Sequence, residues 1–95
     1  MFVKIVQVMP VVSRNYTDRM GANQEFRSMG LIVDSGNGTM YVEAVQELCT
    51  ELERLQLKTN DCALIQVASV AREYKTSSGD TRYSNEFTIK RFVIV

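Results

Sequence analysis

The chain has 95 residues, 45% of them hydrophobic and 23% charged, and its 11 basic side chains balance its 11 acidic ones. This length predicts a single domain, residues 1–95, with one modest core. Without histidine, and with two cysteines that form no C-x-x-C pair, the chain lacks the ligands of a zinc or haem site. We therefore expect no metal and no cofactor.

Charge is distributed unevenly along the chain. Residues 34–61 contain six acidic and two basic side chains, whereas residues 1–33 and 62–95 each have a surplus of two basic side chains. A neutral protein with this distribution can have one basic side and one acidic side.

The composition also bears on location. The N-terminal sequence has no apolar run long enough for a signal peptide, and no segment approaches the roughly twenty apolar residues of a membrane span. Cys49 and Cys62 are predicted to be reduced thiols. We expect a cytoplasmic protein with no membrane partner.

The first third of the chain predicts two strands joined by a long loop. Phe2–Val12 is a strand-forming run that is apolar on both faces, and Pro10 should lie at a strand end, a bulge or an edge. Ser13–Gln24 is polar and has no period, which predicts a loop. Glu25–Asp34 is the second strand, where Gly30 indicates a bulge or a sharp bend.

The middle of the chain predicts a strand followed by a helix. Thr39–Ala44 alternates between apolar and polar residues, and Tyr41 falls on the polar face. Val45–Leu57 changes to helical spacing, with the glutamates on a solvated side. Lys58–Asp61 ends the helix, and Asn60 suits a left-handed conformation there.

Asp61–Val95 predicts one long β-hairpin. An apolar arm, Cys62–Tyr74, leads to a polar tip, Lys75–Asn85, and a return arm, Glu86–Val95. The arms are rich in β-branched and aromatic residues, and the tip is rich in residues that favour turns. The tip and its flanks also combine cations with phenol rings.

This order of elements predicts the fold class. The chain is expected to be all-β with one helix, in the order β-β-β-α-β-β, with a long hairpin between strands 4 and 5. That is the order of the five-stranded OB-fold barrel. The alternative is another kind of curled antiparallel sheet with the helix covering one face.

Short motifs along nearly the whole chain support this assignment. They are Ile5–Pro10, Asn23–Phe26, Tyr41–Glu43, Asn60–Asp61 and Val70–Tyr74. Together they resemble small single-stranded-DNA-binding OB-fold proteins, which are similar to bacterial single-strand-binding protein. The resemblance implies a role in DNA replication, recombination or repair. Because the chain stops at Phe92–Val95, without the acidic C-terminal tail of the bacterial protein, recruitment of partners through that tail is not implied.

Cations and tyrosines supply the groups that such a fold uses. OB folds hold single strands with cations along the phosphates and aromatic rings beneath the bases, with little sequence preference. The candidate binding residues are Arg14, Tyr16, Arg19, Arg27, Tyr41, Arg72, Tyr74, Lys75, Arg82 and Tyr83. We predict sequence-independent binding of single-stranded DNA, with RNA left open. We expect no enzyme activity and no small-molecule substrate, because no acid/base or metal constellation is present.

Several aromatic residues also have structural interpretations. Tyr41 is equally suited to cross-strand packing, and Tyr74 and Tyr83 to pairing with each other across the hairpin. Three phenylalanines are predicted to lie in the core: Phe26, Phe87 and Phe92.

The competing function is a protein-interaction or assembly module that does not bind nucleic acid. In that case the long hairpin would bind another chain by strand addition. Both functions are compatible with self-association, because a first strand that is apolar on both faces must be covered. We therefore expect a homodimer or homotetramer.

Overall fold

The computed structural model describes residues 1–95 and is mostly β with one helix. The elements are β1 (Phe2–Val8), β2 (Val12–Thr17), β3 (Asn23–Asp34), β4 (Thr39–Val45), α1 (Glu47–Leu55), β5 (Cys62–Lys75) and β6 (Thr81–Ile94). The six strands form one sheet in the order β1-β5-β6-β4-β3-β2, and β1 also pairs with β3. The pairings therefore lead from β1 through β5, β6, β4 and β3 back to β1. Helix α1 is not long and apolar enough to cross a membrane.

The second strand was not predicted from the sequence, so the chain has six strands rather than five. Ser13–Gln24 was expected to be a loop, but Val12–Thr17 pairs with Asn23–Ser28 in a regular antiparallel ladder. Only residues 18–22 remain as the connection, in which the Asp18 carboxylate accepts the backbone N–H groups of Met20 and Ala22, each at 2.9 Å. All residues of β2 are exposed, and a strand that buries neither face has no apolar alternation to reveal it.

Alternate residues of the strands form the core, which α1 closes. The buried side chains are Val3, Ile5, Met29, Leu31, Val33, Val42, Ala44, Cys49, Leu52, Ala63, Ile65 and Ile89. Phe87 and Phe92 pack against this cluster as predicted. Cys49 and Cys62 are both free thiols, and burial raises the pKa of Cys49. We call the opposite side of the sheet the outer face.

Helix α1 is shorter at both ends than the predicted Val45–Leu57. It begins at Glu47 and ends at Leu55, where Gln56 takes the left-handed conformation and donates its N–H to the Glu53 carbonyl. Asn60 does have a positive φ, 77°. That residue lies in the turn that enters β5 and not at the end of the helix.

The bulge in this part of the sheet lies in β1 and not at Gly30. The register between β1 and β3 shifts between Ile5 and Gln7, whereas Gly30 pairs regularly with Glu43. The shift leaves Val6 exposed and lets Val8 pack against the core. Pro10 lies between β1 and β2, so its predicted place at a strand end is confirmed.

The hairpin has longer strands and a shorter tip than predicted. β5 and β6 are paired from Ala63 and Ile94 as far as Lys75 and Thr81. The tip is reduced to residues 76–80, where the Thr76 N–H donates to the Asp80 carbonyl at 2.9 Å. Nearly all side chains of residues 69–86 are exposed, so this end of the hairpin projects as a two-stranded ribbon, which we call the arm.

Candidate nucleic-acid interface

Strand register places two of the candidate residues on the outer face of β2. The buried side chains of β3 are odd-numbered, so its even-numbered residues lie on the outer face. Arg14 pairs with Phe26, and Tyr16 pairs with Gln24. Because directly opposed residues in antiparallel strands point to the same side, Arg14 and Tyr16 share the outer face.

Tyr41 lies on the outer face of β4, which confirms its predicted position on the polar side of that strand. The side chain is 50% exposed, and its ring lies against the backbone of Gly30. A Cβ atom at Gly30 would lie 2.7 Å from both Cε2 and Cζ of Tyr41. Gly30 was predicted to mark a bend, but its role here is to leave space for this ring.

The Tyr41 phenol stays protonated at neutral pH. Its pKa is raised above the ordinary value, first by burial and then by the charge and hydrogen bond of Glu43. The side chain presents a neutral ring, and bases stack on aromatic rings of this kind.

The arm carries its candidate residues on two opposite faces. Tyr74 pairs with Arg82, whereas Tyr83 pairs with Glu73. Neighbouring residues along a strand point to opposite sides, so Tyr74 and Tyr83 do so too. The interpretation that these two tyrosines pair with each other across the hairpin is therefore wrong.

The even-numbered residues of the arm continue the outer face. Thr88 of β6 pairs with Glu43 of β4, and Glu43 lies on the same side of β4 as Tyr41. In β6, Arg82, Ser84 and Glu86 alternate with residues that face the other way, so they lie on the same side as Thr88. Their partners on β5, Tyr74, Arg72 and Val70, lie on that side as well. Six of the ten candidates therefore point to the outer face: Arg14, Tyr16, Tyr41, Arg72, Tyr74 and Arg82.

Three of the other candidates lie away from this face. Lys75 and Tyr83 occupy the opposite side of the arm. Arg19 lies in the turn between β2 and β3 and is exposed. None of them shares a strand face with Tyr41.

Arg27 joins β3 to the helix. Its Nη1 donates to Thr50 Oγ1 at 3.0 Å, and its Nη2 donates to Glu53 Oε1 at 2.8 Å. The Glu53 hydrogen bond and charge are the main causes that raise the pKa of Arg27. These contacts occupy both terminal nitrogens on the helix side of the sheet, so the structure does not group Arg27 with the outer-face residues.

Phe26 is an outer-face aromatic residue that was assigned to the core from the sequence. It is half-buried but is not packed against the core cluster, so the prediction of a core position is wrong. Together with Arg14 and Tyr16 it lines a shallow cavity of about 330 Å³. The alternation along β3 could have shown this, because the buried side chains of the strand are odd-numbered and Phe26 is even-numbered.

A cleft separates β4 from the base of the arm. The parallel pairing of these strands is limited to Glu43 and Thr88, and beyond that pair a cleft of about 320 Å³ lies between them. Tyr41 lines one wall, and Asn85 and Phe87 belong to the other. No lysine or arginine lines this cleft.

The cations of the outer face are only partly neutralised. Arg72 forms an ion pair with Glu86, with 2.7 Å between Nε and Oε2, and both side chains are largely exposed. Arg14 and Arg82 take part in no ion pair. No group of His, Cys, Asp and Glu side chains could hold a metal ion. The surface thus offers cations and aromatic rings.

Comparison with known proteins identifies the fold. No family model and no curated protein matches this chain. A structural match is the second OB-fold domain of replication protein A from Methanococcus maripaludis, solved by NMR, with a TM-score of 0.58 and 15% sequence identity. The match covers 99% of this chain and 79% of that chain. This chain has an OB fold.

At this level of identity the likeness concerns the fold alone. The OB fold that the order of elements predicted is therefore confirmed in outline. The matching protein is a domain of replication protein A, whereas the sequence motifs resemble bacterial single-strand-binding protein.

Proposed function

We propose that this protein binds single-stranded nucleic acid, in the first place single-stranded DNA, in replication, recombination or repair. OB folds bind oligonucleotides on the face of their second and third strands and with the flanking loops. Here β1 and β2 take the place of the first strand, so that face corresponds to β3 and β4, and the last flanking loop corresponds to the arm. The closed path of pairings through β1, β5, β6, β4 and β3 supports a five-stranded barrel. The match with a domain of replication protein A supports a function of the same kind.

The observation that carries the proposal is that tyrosine rings and cations share the outer face. Tyr16, Tyr41 and Tyr74 lie on it, and so do the unpaired cations Arg14 and Arg82. Each stacked base contributes about 1–3 kcal/mol, and stacking demands little of the sequence because every base has a π-face. We infer that binding is largely sequence-independent, and that the protein needs no cofactor and catalyses no reaction.

Tyr74 and Tyr83 provide a matched test, because they are exposed side chains on opposite faces of the same arm. We expect Tyr74→Ala to weaken binding of oligo-dT by about 1–3 kcal/mol, and Tyr83→Ala to leave it nearly unchanged. Fluorescence anisotropy at low salt measures both. Equal losses in the two variants would refute the assignment to the outer face. Absence of oligo-dT binding by the unmodified protein would refute the function itself.

Self-association has one specific observation in its favour. Phe2, Leu64 and Val93 lie side by side on β1, β5 and β6, and they are 55%, 48% and 59% exposed on the outer face. Contiguous exposed apolar residues mark interaction sites. We propose that this apolar row contacts a second copy of the chain in a homodimer or homotetramer. We also propose that the protein acts in the cytoplasm, because free thiols such as Cys49 and Cys62 are usual in a reducing compartment.

A further inference from the structure

The cleft between β4 and the arm has the size of a site for one base. Its volume of about 320 Å³ lies at the lower end of the roughly 300–1,000 Å³ that is usual for small-molecule sites. Tyr41 forms one wall, and Gly30 fixes the place of its ring. Phe87, half-buried against the core, lies on the other side.

Two carboxylates line the cleft, beside groups that both donate and accept hydrogen bonds, namely the Thr39 and Thr88 hydroxyls and the Asn85 amide. The Glu43 carboxylate is half-buried there, takes part in no ion pair and accepts a hydrogen bond from Tyr41, so a ligand would use its remaining lone pairs. Asn85 contributes an amide and Glu86 a second carboxylate, whose Oε2 is engaged by Arg72. An ionised carboxylate is an acceptor only.

The two carboxylates disfavour a phosphate group in the cleft and favour a ligand that donates hydrogen bonds. Glu43 and Glu86 repel a phosphate group, and no cation lines the cleft to hold one. A ligand that fits is planar, uncharged and rich in N–H donors. At the exocyclic position, adenine and cytosine present an amino group that donates, whereas thymine and uracil present the O4 carbonyl, and their N3–H lies one ring position away.

We propose that this cleft holds one base of the bound strand and prefers bases that carry an exocyclic amino group, with Glu43 accepting the hydrogen bond from that group. The inference rests on the proposed function and adds a base preference to it. Arg14 and Arg82 contact phosphates elsewhere on the outer face, and the cleft binds a single base of the strand. Most of the bound strand is still held without regard to sequence.

Oligo-dC and oligo-dU of equal length provide the sharpest comparison, because the two pyrimidines differ in the amino or carbonyl group at C4. The experiment is an anisotropy titration at slightly alkaline pH, where cytosine is not protonated. We expect oligo-dC to bind about ten- to a hundredfold more tightly than oligo-dU, the range of one hydrogen bond to a charged group. In Glu43→Gln the ratio should fall to about twofold or less, because an amide both donates and accepts.

Glu51→Gln is the matched control. Glu51 is exposed on α1, takes part in no ion pair and is absent from the cleft, so this variant removes the same charge and should keep the preference for oligo-dC. Equal binding of the two oligonucleotides by the unmodified protein would overturn the base preference and leave the proposed function standing. A preference that persists in Glu43→Gln would overturn the role of Glu43. Failure to bind either oligonucleotide would overturn the proposed function and this inference together.

Discussion

Gly30→Ala tests whether the position of the Tyr41 ring against the Gly30 backbone matters for the binding of oligo-dT. The added methyl group would lie 2.7 Å from Cε2 and Cζ of Tyr41, well inside the contact distance of about 3.5–4.0 Å between carbon atoms. Gly30 pairs with Glu43 of β4 on one side, and its carbonyl accepts the Met9 N–H at 2.9 Å on the other. The backbone is therefore held, and the half-exposed ring moves instead. The variant therefore displaces Tyr41 without altering it.

The expected effects on stability and on binding differ in size. Replacing a strand glycine by alanine gains about 0.5–1 kcal/mol of backbone entropy, which offsets the lost contact between the ring and Gly30. We expect the free energy of unfolding to change by less than about 1 kcal/mol in a denaturant titration. Binding of oligo-dT should weaken by about 1–3 kcal/mol, the contribution of one stacked base.

The double variant Gly30→Ala/Tyr41→Ala completes the test. If Gly30 acts through the Tyr41 ring, the double variant binds no more weakly than Tyr41→Ala alone, because the two changes remove the same contact. Unchanged affinity in Gly30→Ala would refute the reasoning. Additive losses in the double variant would show that Gly30 contributes in some other way.

Two further predictions concern the helix anchor and the apolar row. Arg27→Ala removes the hydrogen bonds to Thr50 and Glu53, so it should lower the midpoint of chemical unfolding. It should change oligo-dT affinity less than Arg14→Ala does. An unchanged midpoint would contradict the role of Arg27 in anchoring the helix. Leu64→Gln places a polar group in the centre of the apolar row and should shift sedimentation towards the monomer. An unmodified protein that is monomeric at micromolar concentration would contradict self-association through this row.

The parts of the fold that bury one face were predictable from the sequence. Alternation placed Tyr41 on the polar side of β4, and the change of period located the helix to within two residues at each end. β2 was missed because it is exposed on both faces, so its existence depends on the backbone pairing with β3 and not on its own side chains.

The candidate site was less predictable than the fold, because the side of the sheet to which a side chain points depends on the register of strand pairing. The position of Tyr74 relative to Tyr83 depends on the length of the turn between them, and the paired strands extend to Lys75 and Thr81. A turn that is one residue longer on one side would reverse which side chains share a face. Arg27 differs in kind, because its partners Thr50 and Glu53 lie far along the chain and no local pattern connects them.

The most direct test of single-strand binding is a titration of oligo-dT across salt concentrations. Single-strand affinity falls with a log–log slope of about −0.7 for each neutralised phosphate. Three of the candidate cations lie on the outer face: Arg14, Arg72 and Arg82. If each of them neutralises one phosphate, the slope is about −2, and duplex DNA of the same length should bind more weakly. No binding at low salt, or equal affinity for duplex and single strand, would contradict the proposal.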